Sequence, residues 1–186
     1  MREISRVSEG SLFVITGGPS TGKTTLLAEL SKRGYKTLPE AARHIIESNL
    51  AKGLSLQEIR ADEKKFQEDV ALLKAEVEST LQKDTPIFLD RGMHDTIAYL
   101  QHYGFAIEDW VQNLVKKSSY DKVFLLEPLG EYIQDNARTE GEEFVVTMHN
   151  LLNVVYTKYG MRPISVPAMP VIDRANFILR NLGGES

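Results

Sequence analysis

Eight consecutive residues, Gly17, Gly18, Pro19, Ser20, Thr21, Gly22, Lys23 and Thr24, fill the pattern G-x-x-x-x-G-K-[ST] at every fixed position. The chemistry this spacing allows is a grip on a polyphosphate. Glycines let the backbone curl until successive N–H groups face phosphate oxygens, and a helix opening at Lys23 adds its positive end. Lys23 is expected to reach the terminal phosphates, the Thr24 hydroxyl to coordinate Mg²⁺, and Thr25 to add a hydroxyl toward the inner phosphates. The expected cofactors are therefore ATP or GTP together with Mg²⁺. The apolar run Leu12-Phe13-Val14-Ile15 precedes the loop, and Leu26, Leu27 and Leu30 follow it at helical spacing. That is the strand–loop–helix setting the motif requires.

A second set of charged residues could complete such a site. Asp90 closes the apolar segment Ile87-Phe88-Leu89 and is followed by Arg91, not by a second acid. A carboxylate at the tip of a neighbouring strand can hold Mg²⁺, and Arg91 is placed to touch phosphate or substrate. Without an acid after Asp90, the pattern departs from motor-type ATPases, and no N-K-x-D guanine reader is present. Glu40 stands in Pro39-Glu40-Ala41-Ala42-Arg43. It is either a helix-start acid favoured by the dipole or a base that accepts the proton of a substrate hydroxyl. Arg43 could hold an anionic group. Arg138, in Asp135-Asn136-Ala137-Arg138, suits a lid that neutralises charge during phosphoryl transfer. Asp95 reads as a substrate contact or as ordinary helix polarity. Arg174 offers a guanidinium plane on which a base could stack. The histidines His44, His94, His102 and His149 show no metal-ligand spacing and read as structural or surface residues.

These residues need a frame. Apolar, β-branched or aromatic segments at residues 11–16, 35–38, 86–90, 122–127 and 162–166 alternate with helical stripes. One stripe runs through Ala42, Ile45, Ile46 and Leu50. A long one over residues 55–83 carries Ile59, Phe66, Val70, Leu73, Val77 and Leu81, with Arg60, Lys64 and Lys65 on a face read as solvated. Others carry Met148, Leu152 and Val155, then Ile172, Ala175 and Ile178. Continuous apolar strands alternating with helices require crossovers, hence an α/β domain with a mainly parallel sheet covered on both faces. Ligands of such sheets gather at the carboxyl ends of the strands. Glu40, Asp90 and the loop at residues 17–24 all fall there.

The 186 residues suit one domain, and the sequence holds no cysteine, which excludes disulfides and thiolate metal sites. A net charge of −4 gives no electrostatic footprint for nucleic acid or an anionic membrane. The opening residues lack the apolar stretch of a signal peptide, and no run approaches a membrane span. A cytoplasmic protein with a nucleotide and a small-molecule substrate as its partners is expected, of undetermined oligomeric state.

Taken together, GGPSTGKTT, PEAAR, FLDRG..D..AYL, D..RTE and the closing V-P…R..FIL resemble a P-loop kinase-like family. It includes the ribosylnicotinamide kinase domain of bacterial NAD-biosynthesis regulators, a GTP- and phosphatidic-acid-binding trafficking protein, and many bacterial predicted ATPases. The resemblance spans residues 10–182 of a single domain covering 1–186. It implies five parallel strands in the order 2-3-1-4-5, with helices on both faces and a lid at 129–142. Glu40 then matches the acid that serves deoxynucleoside kinases as base, and Asp90-Arg91 their acid–arginine pair. Gly92 after the arginine departs from that pattern, and no further domain of the NAD regulators is attached. The expected activity is transfer of the ATP γ-phosphoryl to a hydroxyl of a nucleoside-like molecule. The alternative is a nucleotide-binding switch, or a slow ATPase or GTPase, acting through a protein or lipid partner.

Overall fold

A computed structural model describes residues 10–82, 84–129 and 141–183, without the side chain of Glu142. The elements run β1 (Leu12–Thr16), α1 (Lys23–Lys32), β2 (Lys36–Leu38), α2 (Ala41–Leu50), α3 (Leu56–Ile59) and α4 (Glu63–Ser79). They continue with β3 (Ile87–Asp90), α5 (Met93–His102), α6 (Asp109–Lys117), β4 (Lys122–Leu126), α7 (Glu142–Lys158), β5 (Ile164–Val166) and α8 (Val171–Arg180). All strand pairs are parallel, in the order β2-β3-β1-β4-β5. This is the P-loop kinase-like sheet.

Side-chain alternation along the central strands sorts the core into two layers. Leu12, Val14, Leu89, Val123 and Leu125 face one cluster, completed by Met93, Ile97, Leu152 and Tyr156 from α5 and α7. Phe13, Ile15, Phe88, Phe124 and Leu126 face the other, completed by Leu26 and Leu30 of α1 and Ile178 of α8. With both faces covered, every residue of β1 and β3 is buried. Edge strand β2 is exposed or half-buried throughout.

The single long helix expected over residues 55–83 is two helices. Ser55 caps α3 in a reciprocal capping box with Glu58, and Asp62 starts α4 afresh by accepting from the Lys65 N–H. Each cap satisfies a backbone donor that a continuous helix would bond internally, so the polar residues between Ile59 and Glu63 divide the stripe. Residues 130–140, the body of the expected lid with Asp135 and Arg138, lie outside the described residues.

Candidate functional site

The sheet order reverses at β1, so the loop after β1 opens at the switch point of the sheet, where crevices form in such folds. The backbone there takes turns that favour glycine. Gly17 has φ 148° and Gly22 has φ 83°. A Cβ on Gly17 would lie 3.0 Å from the Leu126 carbonyl oxygen, and one on Gly18 would lie 3.0 Å from that of Val145 in α7. The loop is therefore wedged between β4 and α7, and these glycines let it pass. Gly22 ends the loop, and α1 begins at Lys23 with the free N–H groups of a first helical turn. The Lys23 ammonium folds back to donate to the carbonyls of Gly18 (2.6 Å) and Gly17 (3.0 Å). Burial, reinforced by Arg91, pushes its pKa down to about 7 against the pull of Asp90, Glu40 and Asp95. A phosphate beside Lys23 would restore the charge that burial disfavours. Thr24 and Thr25 are exposed on the same cavity.

Strand β3 brings Asp90 alongside Ile15, just before the loop. Asp90 is buried, and its Oδ1 has no hydrogen-bond partner. Burial, with Glu40 nearby, raises its pKa despite Arg91, Lys23 and Lys74. A buried carboxylate oxygen without a donor fits an oxygen-seeking cation, and the Thr24 hydroxyl opens onto the same space. Among the described residues no group of three His, Cys, Asp or Glu could hold a metal unaided.

Arg91 turns the corner after β3 with φ 66°, a left-handed conformation costly for a side-chain-bearing residue. Its N–H donates to the Ile15 carbonyl. Its Nε donates to Glu40 (2.6 Å), and one Nη donates to Asp95 and to the Gly17 carbonyl, both at 3.1 Å. The guanidinium also lies over the Tyr99 ring at 5.3 Å. Burial opposes its charge, but Tyr99, Glu40, Asp95 and Asp90 outweigh that and raise its pKa. Burial alone would raise the pKa of Glu40, but Arg91, Lys23 and Arg43 outweigh it and hold the carboxylate ionised. Arg91 thus joins the carboxyl ends of β1, β2 and β3.

Two expectations change here. Asp95 lines the cavity, but Oδ1 accepts from Thr16 (2.7 Å) and Arg91, and Oδ2 accepts from the Gly92 N–H (3.1 Å) and Tyr156 (2.6 Å). Its lone pairs are filled, so it braces Arg91 and offers nothing to a substrate. Arg174 is only 2% exposed. It donates to the carbonyls of Thr21 (2.5 Å), Glu127 (3.0 Å) and Pro167 (3.0 Å). It therefore clamps α8 to the back of the loop, and its guanidinium is not open for a base.

The loop, Glu40, Arg43, Asp90 and Arg91 share one cavity of about 740 Å³. Ile46 of α2, Phe66, Gln67, Val70 and Lys74 of α4, and Tyr99 of α5 line the same cavity. The face of α4 read as solvated is therefore divided. Lys64 and Lys65 form surface ion pairs, while Arg60 lines the cavity, bonded to Glu63. Phe66, Val70 and Lys74 recur every four residues. The apolar members of that stripe were legible, but its polar end was not.

A family profile described as an AAA domain matches residues 12–174, most of the chain. The chain belongs to this AAA domain family. No curated protein matches it in sequence. Among solved structures, this AAA domain superposes on NadR protein in complex with NR at a TM-score of 0.70 and 18% identity, covering 97% of this chain and 53% of that one. It thus spans about half the length of the NadR chains it matches. Deoxyadenosine kinase from M. mycoides with bound dATP gives 0.69 at 19% identity, covering 94% of this chain and 100% of that one. Thymidylate kinase from Candida albicans gives 0.63 at 18% identity, covering 92% and 90%. At such identities the likeness is one of fold. Among the described residues, no helix is long and apolar enough to cross a membrane.

Proposed function

We propose that this AAA domain is a small-molecule kinase that transfers the γ-phosphoryl of ATP or GTP to a hydroxyl of a nucleoside-like acceptor. One observation carries this reading: a single cavity is lined both by the glycine-rich loop and by Glu40, Arg43 and apolar side chains of α2, α4 and α5. Apolar lining beside the loop suits an acceptor held next to the triphosphate, which neither a binding switch nor a hydrolase requires. The solved structures of similar fold include NadR with NR and a deoxyadenosine kinase with dATP, which supports a nucleoside-like acceptor.

In this reading the backbone of residues 17–24 and Lys23 hold the triphosphate, and Thr24 and Asp90 hold Mg²⁺. The ion supplies neutralisation of charge on the terminal phosphates. Arg91 keeps Glu40 ionised and oriented through Oε1, leaving Oε2 to receive the acceptor proton. Arg43 attracts the acceptor at the mouth. Arg138 would act as the lid cation. The acceptor oxygen bonds to the γ-phosphorus while the bond to the β–γ bridging oxygen breaks. The nucleoside diphosphate leaves with that electron pair, and the hydroxyl proton passes to Glu40.

The test is phosphoryl transfer from labelled ATP and GTP to a panel of nucleosides and their analogues, for wild type and Glu40→Gln. The variant should bind nucleotide normally and lose roughly 100-fold or more in turnover, the usual contribution of a positioned base. Full turnover in Glu40→Gln would remove Glu40 from the chemistry, and hydrolysis without transfer to any acceptor would favour the slow-NTPase alternative.

A further inference from the structure

Lys74 has no role in the scheme above, yet it stands inside the cavity. It lies on the inner face of α4, two turns beyond Phe66 and one beyond Val70, and is 8% exposed. Its closest carboxylate among the described residues is Glu78, at 3.9 Å, too far for a hydrogen bond. Glu78 is engaged elsewhere: both its oxygens accept from the Tyr120 hydroxyl (3.0 and 3.1 Å), which itself accepts from the Met93 N–H. An ammonium carries three donors, and this one lines the cavity with only a long-range ion pair to Glu78. Asp90 lines the same cavity and has an unbonded oxygen, but the two form no ion pair. Lys74, paired only at long range with Glu78, and Asp90, with one unbonded oxygen, thus line one cavity without contacting each other, and each can meet opposite charge on a bound molecule.

For Asp90 the proposed function already provides a cation. For Lys74, we infer that the acceptor carries an anionic group and that Lys74 selects it. This deepens the kinase reading and rests on it. Arg43, exposed across the cavity on α2, adds a second positive charge. Ile46, Phe66, Val70 and Tyr99 supply apolar lining to the same cavity. The acceptor that fits has an apolar or planar body, a hydroxyl toward Glu40, and a phosphate or carboxylate toward Lys74.

The experiment loads the protein with Mg²⁺ and AMP-PNP, so that the loop is filled, and titrates inorganic phosphate and acetate by calorimetry. Wild type, Lys74→Gln and Lys74→Arg are compared. Saturable anion binding is expected in wild type, about tenfold weaker in Lys74→Gln, and within about threefold of wild type in Lys74→Arg. Phosphate binding tighter than acetate indicates a phosphorylated acceptor, and the reverse a carboxylic acid. Equal anion affinity in wild type and Lys74→Gln overturns the inference, as does the lack of any saturable site. So does a change confined to the Mg²⁺ dependence of AMP-PNP binding, because Lys74 would then serve only Asp90. Failure to bind AMP-PNP at all would instead strike the kinase reading itself.

Discussion

His94 shows how one side chain can be chemically conspicuous in a sequence and silent in the site. It sits on α5, 1% exposed, stacked on Tyr156 at 4.8 Å with Tyr120 and Tyr159 edge-on. Burial pushes its pKa down to about 4, with only Asp95 pulling the other way. The folded imidazole stays neutral while the unfolded one protonates near pH 6.5. Below that value the unfolded chain therefore binds the extra proton, and stability falls as pH drops from 6.5 to 4. Urea unfolding at pH 7 and pH 4 should show wild type losing about 2–3 kcal/mol more than His94→Phe. Equal losses would mean that the ring is not buried as described. The same scale separates what residue identity discloses from what it hides. The spacing of Gly17, Gly22, Lys23 and Thr24 is legible because the backbone requires those types in that order. Asp95 and Arg174 are not, because their roles lie in partners 61 to 153 residues away, such as Tyr156 and Thr21.

Elements explain the departure at Gly92. Here β3 hands over to α5, and α5 packs on α7. A Cβ on Gly92 would collide with the Tyr156 hydroxyl and lie 2.9 Å from Cε2 of Tyr120. Its φ of −97° suits any residue, so crowding alone selects glycine. The Gly92 N–H also donates to Tyr156 and Asp95, which ties the turn after β3 to the α5–α7 interface. Gly92→Ala should cost about 1–3 kcal/mol by overpacking, read as a lower urea midpoint with an unchanged slope. A neutral result would show that α7 can retreat freely. The strands were legible to within two residues, since continuous apolar runs covered on both faces leave little choice. Helix α6 was not anticipated, although Trp110, Val111, Leu114 and Val115 recur at helical spacing. The division between α3 and α4 follows from caps at Ser55 and Asp62, which a stripe of apolar residues does not register.

At the scale of the whole molecule, the parallel sheet in the order β2-β3-β1-β4-β5 converts local motifs into a site. It places the loop after β1 between the ends of β3 and β4, brings Glu40 at the start of α2 within 2.6 Å of Arg91, and leaves α2 and α4 to line the cavity beside the loop. The strand–helix alternation foretold that convergence at the carboxyl ends. The lining of the cavity by Gln67 and Lys74 was hidden, because a polar residue on an amphipathic helix looks the same facing solvent or a ligand. With a net charge of −4, attraction for a triphosphate must come from local groups, Lys23 foremost.

The most direct test is therefore equilibrium binding of ATP and GTP to wild type and Lys23→Ala, with Mg²⁺ and with the metal chelated. Wild type should bind at least one of them in a Mg²⁺-dependent manner, and Lys23→Ala should weaken that binding by about 2–5 kcal/mol, roughly 30-fold or more. Wild type that binds neither triphosphate with Mg²⁺, or a Lys23→Ala variant that binds as wild type does, would contradict the account.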